Sequence, residues 1–224
     1  MESFRLSPYA ICLILSLLIG LVTSYIMLRK ANIDSTIARL SCFMNVVFVM
    51  LFGKLYTVIL YVIHGTYDNS KGILYSIAVS PFASIGGMLG MLVGIEVFNL
   101  IYGEQKGVFR IVYILVLPLM YSISKVGCFF AGCCGGIRGI PNQIIEVICF
   151  GLIFVYGLHL YLMRNHKGLI SKLLIICSLA KILVQFLRLE HVGTILDANQ
   201  IICFIILIAS IVYIFREKRK MING

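Results

Sequence analysis

SPYAICLILSLLIGLVTSYIMLRK, residues 7–30, is the stretch that decides the fold class. From Pro8 to Leu28 it carries no charged side chain, and Arg29-Lys30 closes the run. A helix needs roughly 20 such residues to cross about 30 Å of hydrocarbon. A secretory leader has a shorter apolar core, of about 7–15 residues, and a small-residue cleavage site where this chain has Arg-Lys. The segment is therefore expected to stay in the mature protein as its first span. Comparable runs fill the chain, predicting spans at about 8–28, 43–63, 73–101, 111–134, 143–163, 169–189 and 195–215. The third is the longest, with Pro81 or the Gly86-Gly87 pair as the place where it divides. Alternating segments of about 10 residues, which a barrel requires, are absent. With 61% apolar and 12% charged residues and a mean hydropathy of +1.04, the solvent for this fold is lipid. The connections leave no room for a soluble module, so the expectation is all-α: a polytopic membrane protein of seven transmembrane helices forming one domain over residues 1–224.

A net charge of +10 would suit a nucleic-acid partner if it were gathered on one face, but Lys and Arg follow alternate spans instead. Arg29, Lys30 and Arg39 follow the first, Lys106 and Arg110 the third, Arg164 and Lys167 the fifth, and Arg216, Lys218, Arg219 and Lys220 the last. The other side holds Arg5, Lys71 and Arg138. The positive-inside rule then puts the N-terminus outside and the C-terminus in the cytoplasm, and REKRK at 216–220 becomes an orientation signal near anionic lipid. No nucleic-acid partner is expected. Trp is absent, which leaves Tyr9, Tyr25, Tyr61, Tyr67, Tyr75, Tyr102, Tyr113 and Tyr213, all near span ends, to form the interfacial belt.

An ionisable side chain at mid-span costs about 2.5–3.5 kcal/mol on the insertion scale, so it is normally held by a partner or a wet cavity. Lys54, Glu96, Lys125, Glu146, Lys181 and Arg188 are such residues, with Glu190, His191 and Asp197 at the outer turn before the last span. Four cations against two or three carboxylates leave a positive surplus, which suits an anion. Lys125, Glu146 and Arg188 fall in the outer half of the membrane, so the simplest anion is an outer-leaflet phospholipid head group. The competing reading is that these residues only pair with one another or snorkel to the interface. Lys181 and Arg188, seven apart, would share one helical face about 10 Å from each other, with Gln185 on the same stripe. Gln200 reads either as interhelical glue or as part of the same cavity.

KVGCFFAGCCGG at 125–136 is the most unusual segment. Gly127, Ala131 and Gly132 permit close approach of a helix or a lipid. Gly135, Gly136, Gly139 and Pro141 end the span in a turn, and PNQIIE opens the next with Gln143 and Glu146 on one face. Cys12, Cys42, Cys149, Cys177 and Cys203 lie scattered in apolar runs and read as small hydrophobes. Cys128, Cys133 and Cys134 are clustered. C-x4-CC lacks the paired C-x2-C spacing of metal sites and the nearest histidine is His159 on the inner side, so neither a metal nor a cofactor is expected. Close packing, a disulfide through Cys133 or Cys134 and a reactive thiol all stay open.

SPYAICLILSLLIG at 7–20, FGKLYTVIL at 52–60, SIGGMLGMLVG at 84–94, KVGCFFAGCCGG, PNQIIE, and KILVQFLRLE at 181–190 followed by Gln200 resemble, in that order, segments of the prolipoprotein diacylglyceryl transferases. The nearest likeness is to shorter members with a GCF-x-AGCC-x-G segment. The resemblance implies transfer of a diacylglyceryl group from phosphatidylglycerol to the lipobox cysteine thiol of a lipoprotein precursor in a bacterial inner membrane. It further implies that Lys54, Lys125, Lys181 and Arg188 hold the phosphate, that Glu146 orients a lysine, and that Tyr9 meets the head group or the acceptor. Gly86, Gly87, Gly127, Cys128, Gly132, Gln143 and Gln200 fall at the remaining substrate-binding positions. The chain also departs from the pattern: Ile85 stands in place of a histidine, Lys54, Lys125 and Lys181 in place of arginines, and Cys128 in place of an asparagine. Lysine keeps the charge and loses the planar two-pronged grip on phosphate. A non-catalytic phospholipid-binding protein on the same fold and a transferase with another acceptor are the alternatives. A transporter is disfavoured by the lack of repeated halves.

Overall fold

The computed structural model describes residues 7–63, 72–103, 106–163, 168–188 and 198–222, and these are helical with connecting turns. The helices are α1 (Pro8–Lys30), α2 (Ser35–Ile63), α3 (Ile73–Val79), α4 (Ser84–Ile101), α5 (Lys106–Phe130), α6 (Asn142–Leu162), α7 (Leu169–Gln185) and α8 (Ala198–Ile222). Six of them, α1, α2, α4, α5, α6 and α8, are long and apolar enough to cross a membrane. With 17 residues α7 is at the short limit for a crossing, and α3, with seven, is far below it. Arg5, Lys71, Arg164, Lys167, Glu190, His191 and Asp197, all used above in reading charge, lie outside the described residues.

Local chemistry explains where these helices begin and end. Asp34 accepts hydrogen bonds from the backbone N–H of Thr36 (2.7 Å) and Ile37 (3.4 Å), which starts α2 eight residues before the expected span. The expected third span is two helices divided at Pro81, not at the glycine pair. Ser80, the residue before proline, is extended (φ −59°, ψ 144°), as the ring of the following residue demands. The fourth span stops at Phe130 rather than at residue 134. Gly132 (φ 66°) and Cys134 (φ 60°) reverse the chain there, so Cys133 and Cys134 belong to a turn. The sixth stops at Gln185, and Arg188 is carried instead on an isolated β-bridge to Gly136.

Contacts divide the chain into two compact units, residues 1–20 with 114–224, and residues 21–113. In the second, α4 lies against α2 along Gly86, Gly90 and Gly94. A Cβ at Gly86 would stand 2.5 Å from the Phe52 carbonyl oxygen, and one at Gly90 would collide with that of Phe48. Spaced four apart, these glycines make one face of α4 a flat track for the α2 backbone. Ser41 and Tyr113 share a buried hydrogen bond of 2.7 Å, and the Thr57 hydroxyl donates to the Pro81 carbonyl at 2.9 Å. In the first unit the Ser16 hydroxyl donates to the Met120 carbonyl (2.6 Å) and that of Ser122 to the Val147 carbonyl (2.8 Å). Polar side chains such as Ser16, Ser24, Asn45 and Lys125 are buried, whereas Leu18, Val22, Leu152, Val155, Leu183 and Ile205 face outward. That polarity is the reverse of a water-soluble helix and fits a lipid surround.

Candidate functional site

Within the first unit, α5, α6, α7 and the segment after α7 deliver four ionisable side chains to one point. Glu146, in the second turn of α6, is fully buried. Lys125 of α5 approaches its Oε2 at 3.1 Å and Lys181 of α7 its Oε1 at 2.6 Å, while Nη2 of Arg188 lies 3.1 Å from both oxygens. All three cations are at most 5% exposed. A buried ion costs several kcal/mol to desolvate, and only well-placed partners offset that cost. Three cations gathered on one carboxylate leave two positive charges among these four groups.

Tyr121 completes the arrangement. Its hydroxyl donates to Glu146 Oε1 (2.8 Å) and accepts from Lys181 (2.6 Å), and both lysine ammonium groups lie about 5 Å from its ring centre. The sequence reading missed this residue. A signal was present: Tyr121 precedes Lys125 by four positions, so both occupy one face of α5. Lys181 and Arg188 do converge, though not as neighbours on one helical stripe. The helix has ended before Arg188, and the Ile137 N–H bond to the Leu187 carbonyl (2.9 Å) holds its backbone in place.

The other expected positions sort by unit. Gly127 lets α1 approach α5, since a Cβ there would stand 2.7 Å from Cys12 Cβ and 3.2 Å from Tyr9 Cα. Tyr9, in the first turn of α1, thus lies against the turn of α5 that carries Cys128. Gln143 donates to the Cys133 carbonyl, joining the start of α6 to the turn that holds Gly132. Gln200 of α8 is fully buried and makes a long contact, 3.5 Å, with the Ile182 carbonyl of α7. Lys54, Gly86 and Gly87 belong to the second unit. There the Lys54 carbonyl accepts from Ser80 (3.3 Å), and a Cβ at Gly87 would stand 2.6 Å from the Phe82 ring. What the structure shows for Gly86 and Gly87 is therefore packing.

The cysteine trio, clustered in the sequence, is gathered in space as well, although C-x4-CC is not a paired metal-site spacing. The three sulfurs of Cys128, Cys133 and Cys134 lie within 4.8 Å of one another, and all three are free thiols. The family model of prolipoprotein diacylglyceryl transferases matches residues 1–216. The chain belongs to that family. A relative from Clostridium perfringens (strain 13 / Type A), described as phosphatidylglycerol–prolipoprotein diacylglyceryl transferase 2, is 24% identical over 248 aligned positions covering 98% of this chain and 94% of the relative. The family is one of membrane transferases of lipoprotein biosynthesis, and the buried cationic cluster is to be read in that setting.

Proposed function

We propose that this chain transfers the diacylglyceryl group of phosphatidylglycerol to the lipobox cysteine thiol of a lipoprotein precursor, with glycerol phosphate as the leaving group. The observation that carries the reading is the convergence of Lys125, Lys181 and Arg188 on Glu146. A phosphodiester brings one negative charge to a group with two positive charges in excess. When the ester carbon–oxygen bond breaks, the departing phosphate gains a second, so the cluster holds the leaving group more tightly than the substrate, which is the condition for catalysis. Glu146 fixes the three cations, Tyr121 ties it to Lys181, and Tyr9 meets the head group or the acceptor. The same reading sets the chain in a bacterial inner membrane as seven spans, α7 being the short one, with its N-terminus outside and its C-terminus in the cytoplasm.

The test is incubation of the purified chain and a lipobox peptide with phosphatidylglycerol labelled in the glycerol carbons that bear the acyl chains. Label on the peptide in a base-stable thioether, with equimolar release of glycerol phosphate, is the expected result. One observation favours a second reading, in which the fold binds phospholipid without turnover: Ile85, at the place of the family histidine, is buried in α4 as an ordinary apolar residue. Phosphatidylglycerol copurifying at fixed stoichiometry with no labelled peptide would decide for that reading.

A further inference from the structure

The transfer needs a thiolate, and the carboxylate of the cationic cluster is already held by three cations. Among the described residues the one histidine is His159, in the last turn of α6 and 13 residues from Glu146, roughly 20 Å along the helix. Next to the cluster stand the three thiols. Cys128 ends α5, Cys133 donates to the Cys128 carbonyl, and Cys134 is held at φ 60°, a conformation that costs a non-glycine residue energy and turns its side chain back toward the other two. Lys125 precedes Cys128 by three positions on α5, and Arg188 is bridged to Gly136, two residues after Cys134.

We propose that Cys128, Cys133 and Cys134 form a three-thiolate zinc site whose fourth position takes the acceptor thiol. Zinc–sulfur bonds of about 2.3 Å in a tetrahedral site set sulfurs about 3.8 Å apart, so the observed cluster closes on an ion with shifts of about an ångström. Three thiolates around a dication leave one negative charge, beside a cluster that carries a surplus of two positive charges. Three protein ligands with one open position is the pattern of a catalytic zinc. The site stands on its own geometry, and its use in transfer rests on the function proposed above. On binding, the acceptor thiol gives its proton to solvent, because a zinc-coordinated thiol is deprotonated. Its sulfur lone pair forms the bond to the glyceryl carbon, the carbon–oxygen bond to phosphate breaks, and that electron pair leaves with glycerol phosphate. Zinc keeps its oxidation state throughout, and the thioether product, a poorer ligand, departs.

The test uses the full-length chain purified in detergent with a thiol-free reductant. After exposure to zinc and removal of loose metal, elemental analysis is expected to give one zinc per chain, falling at least tenfold in the Cys133→Ser, Cys134→Ser double variant and unchanged in Cys149→Ser. Cobalt in place of zinc should give intense sulfur-to-metal absorption. A lipobox peptide should shift the visible cobalt bands, and the same peptide with Ser for Cys should leave them unmoved. Absence of stoichiometric zinc, retention of metal by the double variant, or a disulfide joining two of the three sulfurs would overturn the proposal. Transfer that persists in full in the metal-free chain would overturn the zinc role and leave the transferase reading standing. A chain that holds zinc and shifts its cobalt bands with the peptide, yet makes no product, would sink the transferase reading and keep the site.

Discussion

At the scale of single residues, the cost of charge in a buried place governs the cluster. Glu146→Gln removes the one group that meets all three cations, and breaking a buried pair in this way costs about 3–5 kcal/mol. Unfolding in micelles should show that loss. Tyr121→Phe removes a hydroxyl bonded to both Glu146 and Lys181 and should cost about 2 kcal/mol by the same measurement, leaving the ring packed on Phe150. An effect near zero would mean the hydroxyl is dispensable. Lys125, Glu146, Lys181 and Arg188 were legible in the sequence because a charge inside an apolar run demands a reason. Tyr121 was not read, because a tyrosine in such a run is ordinary and its hydroxyl becomes informative only beside Glu146.

At the scale of elements, the fit between α2 and α4 depends on the glycine track. Gly90→Leu places carbon where the Phe48 carbonyl oxygen stands and must push the helices apart, at a cost of about 1–3 kcal/mol in unfolding measurements. Gly107→Ala meets nothing within 4 Å and should be neutral or slightly stabilising. At the start of α2, the Thr36 and Ile37 N–H groups hold the Asp34 carboxyl below its ordinary value. The sign follows: a lowered folded-state value means that the cap's support is complete above the ordinary aspartate range and is lost as pH falls through the lowered value. Asp34→Asn keeps a side-chain acceptor and should remove that part of the pH dependence, as read from helicity across an acid titration. Helix existence was legible from length and hydropathy. The end of α5 carried a signal that went unread, Gly132 in the left-handed region, because glycines at 135 and 136 offered a later stop; the end of α7 carried none, since the bridge that holds Arg188 pairs it with a residue 52 positions earlier, Gly136.

At the scale of the whole molecule, alternation of Lys and Arg along the chain predicts the sidedness of the termini. Green fluorescent protein fused after Gly224 should fluoresce, and alkaline phosphatase fused there should be inactive; the opposite pair of results would reverse the orientation. Family and helical class could be read from the order of short motifs, whereas the meeting of distant residues 125, 146, 181 and 188 at one carboxylate could only be expected from their shared charge logic. The most direct measurement of the central claim is diacylglyceryl transfer by Lys125→Gln and Arg188→Gln variants, each shown by its unfolding transition to be folded, beside Lys125→Arg. Loss of a preorganised charge on the leaving group predicts a fall of about 10²–10³ in rate for both glutamine variants, with Lys125→Arg retaining measurable transfer. Folded glutamine variants that transfer within about a factor of two of the parent would contradict it, since the cluster would then be structural and the phosphate would be held elsewhere.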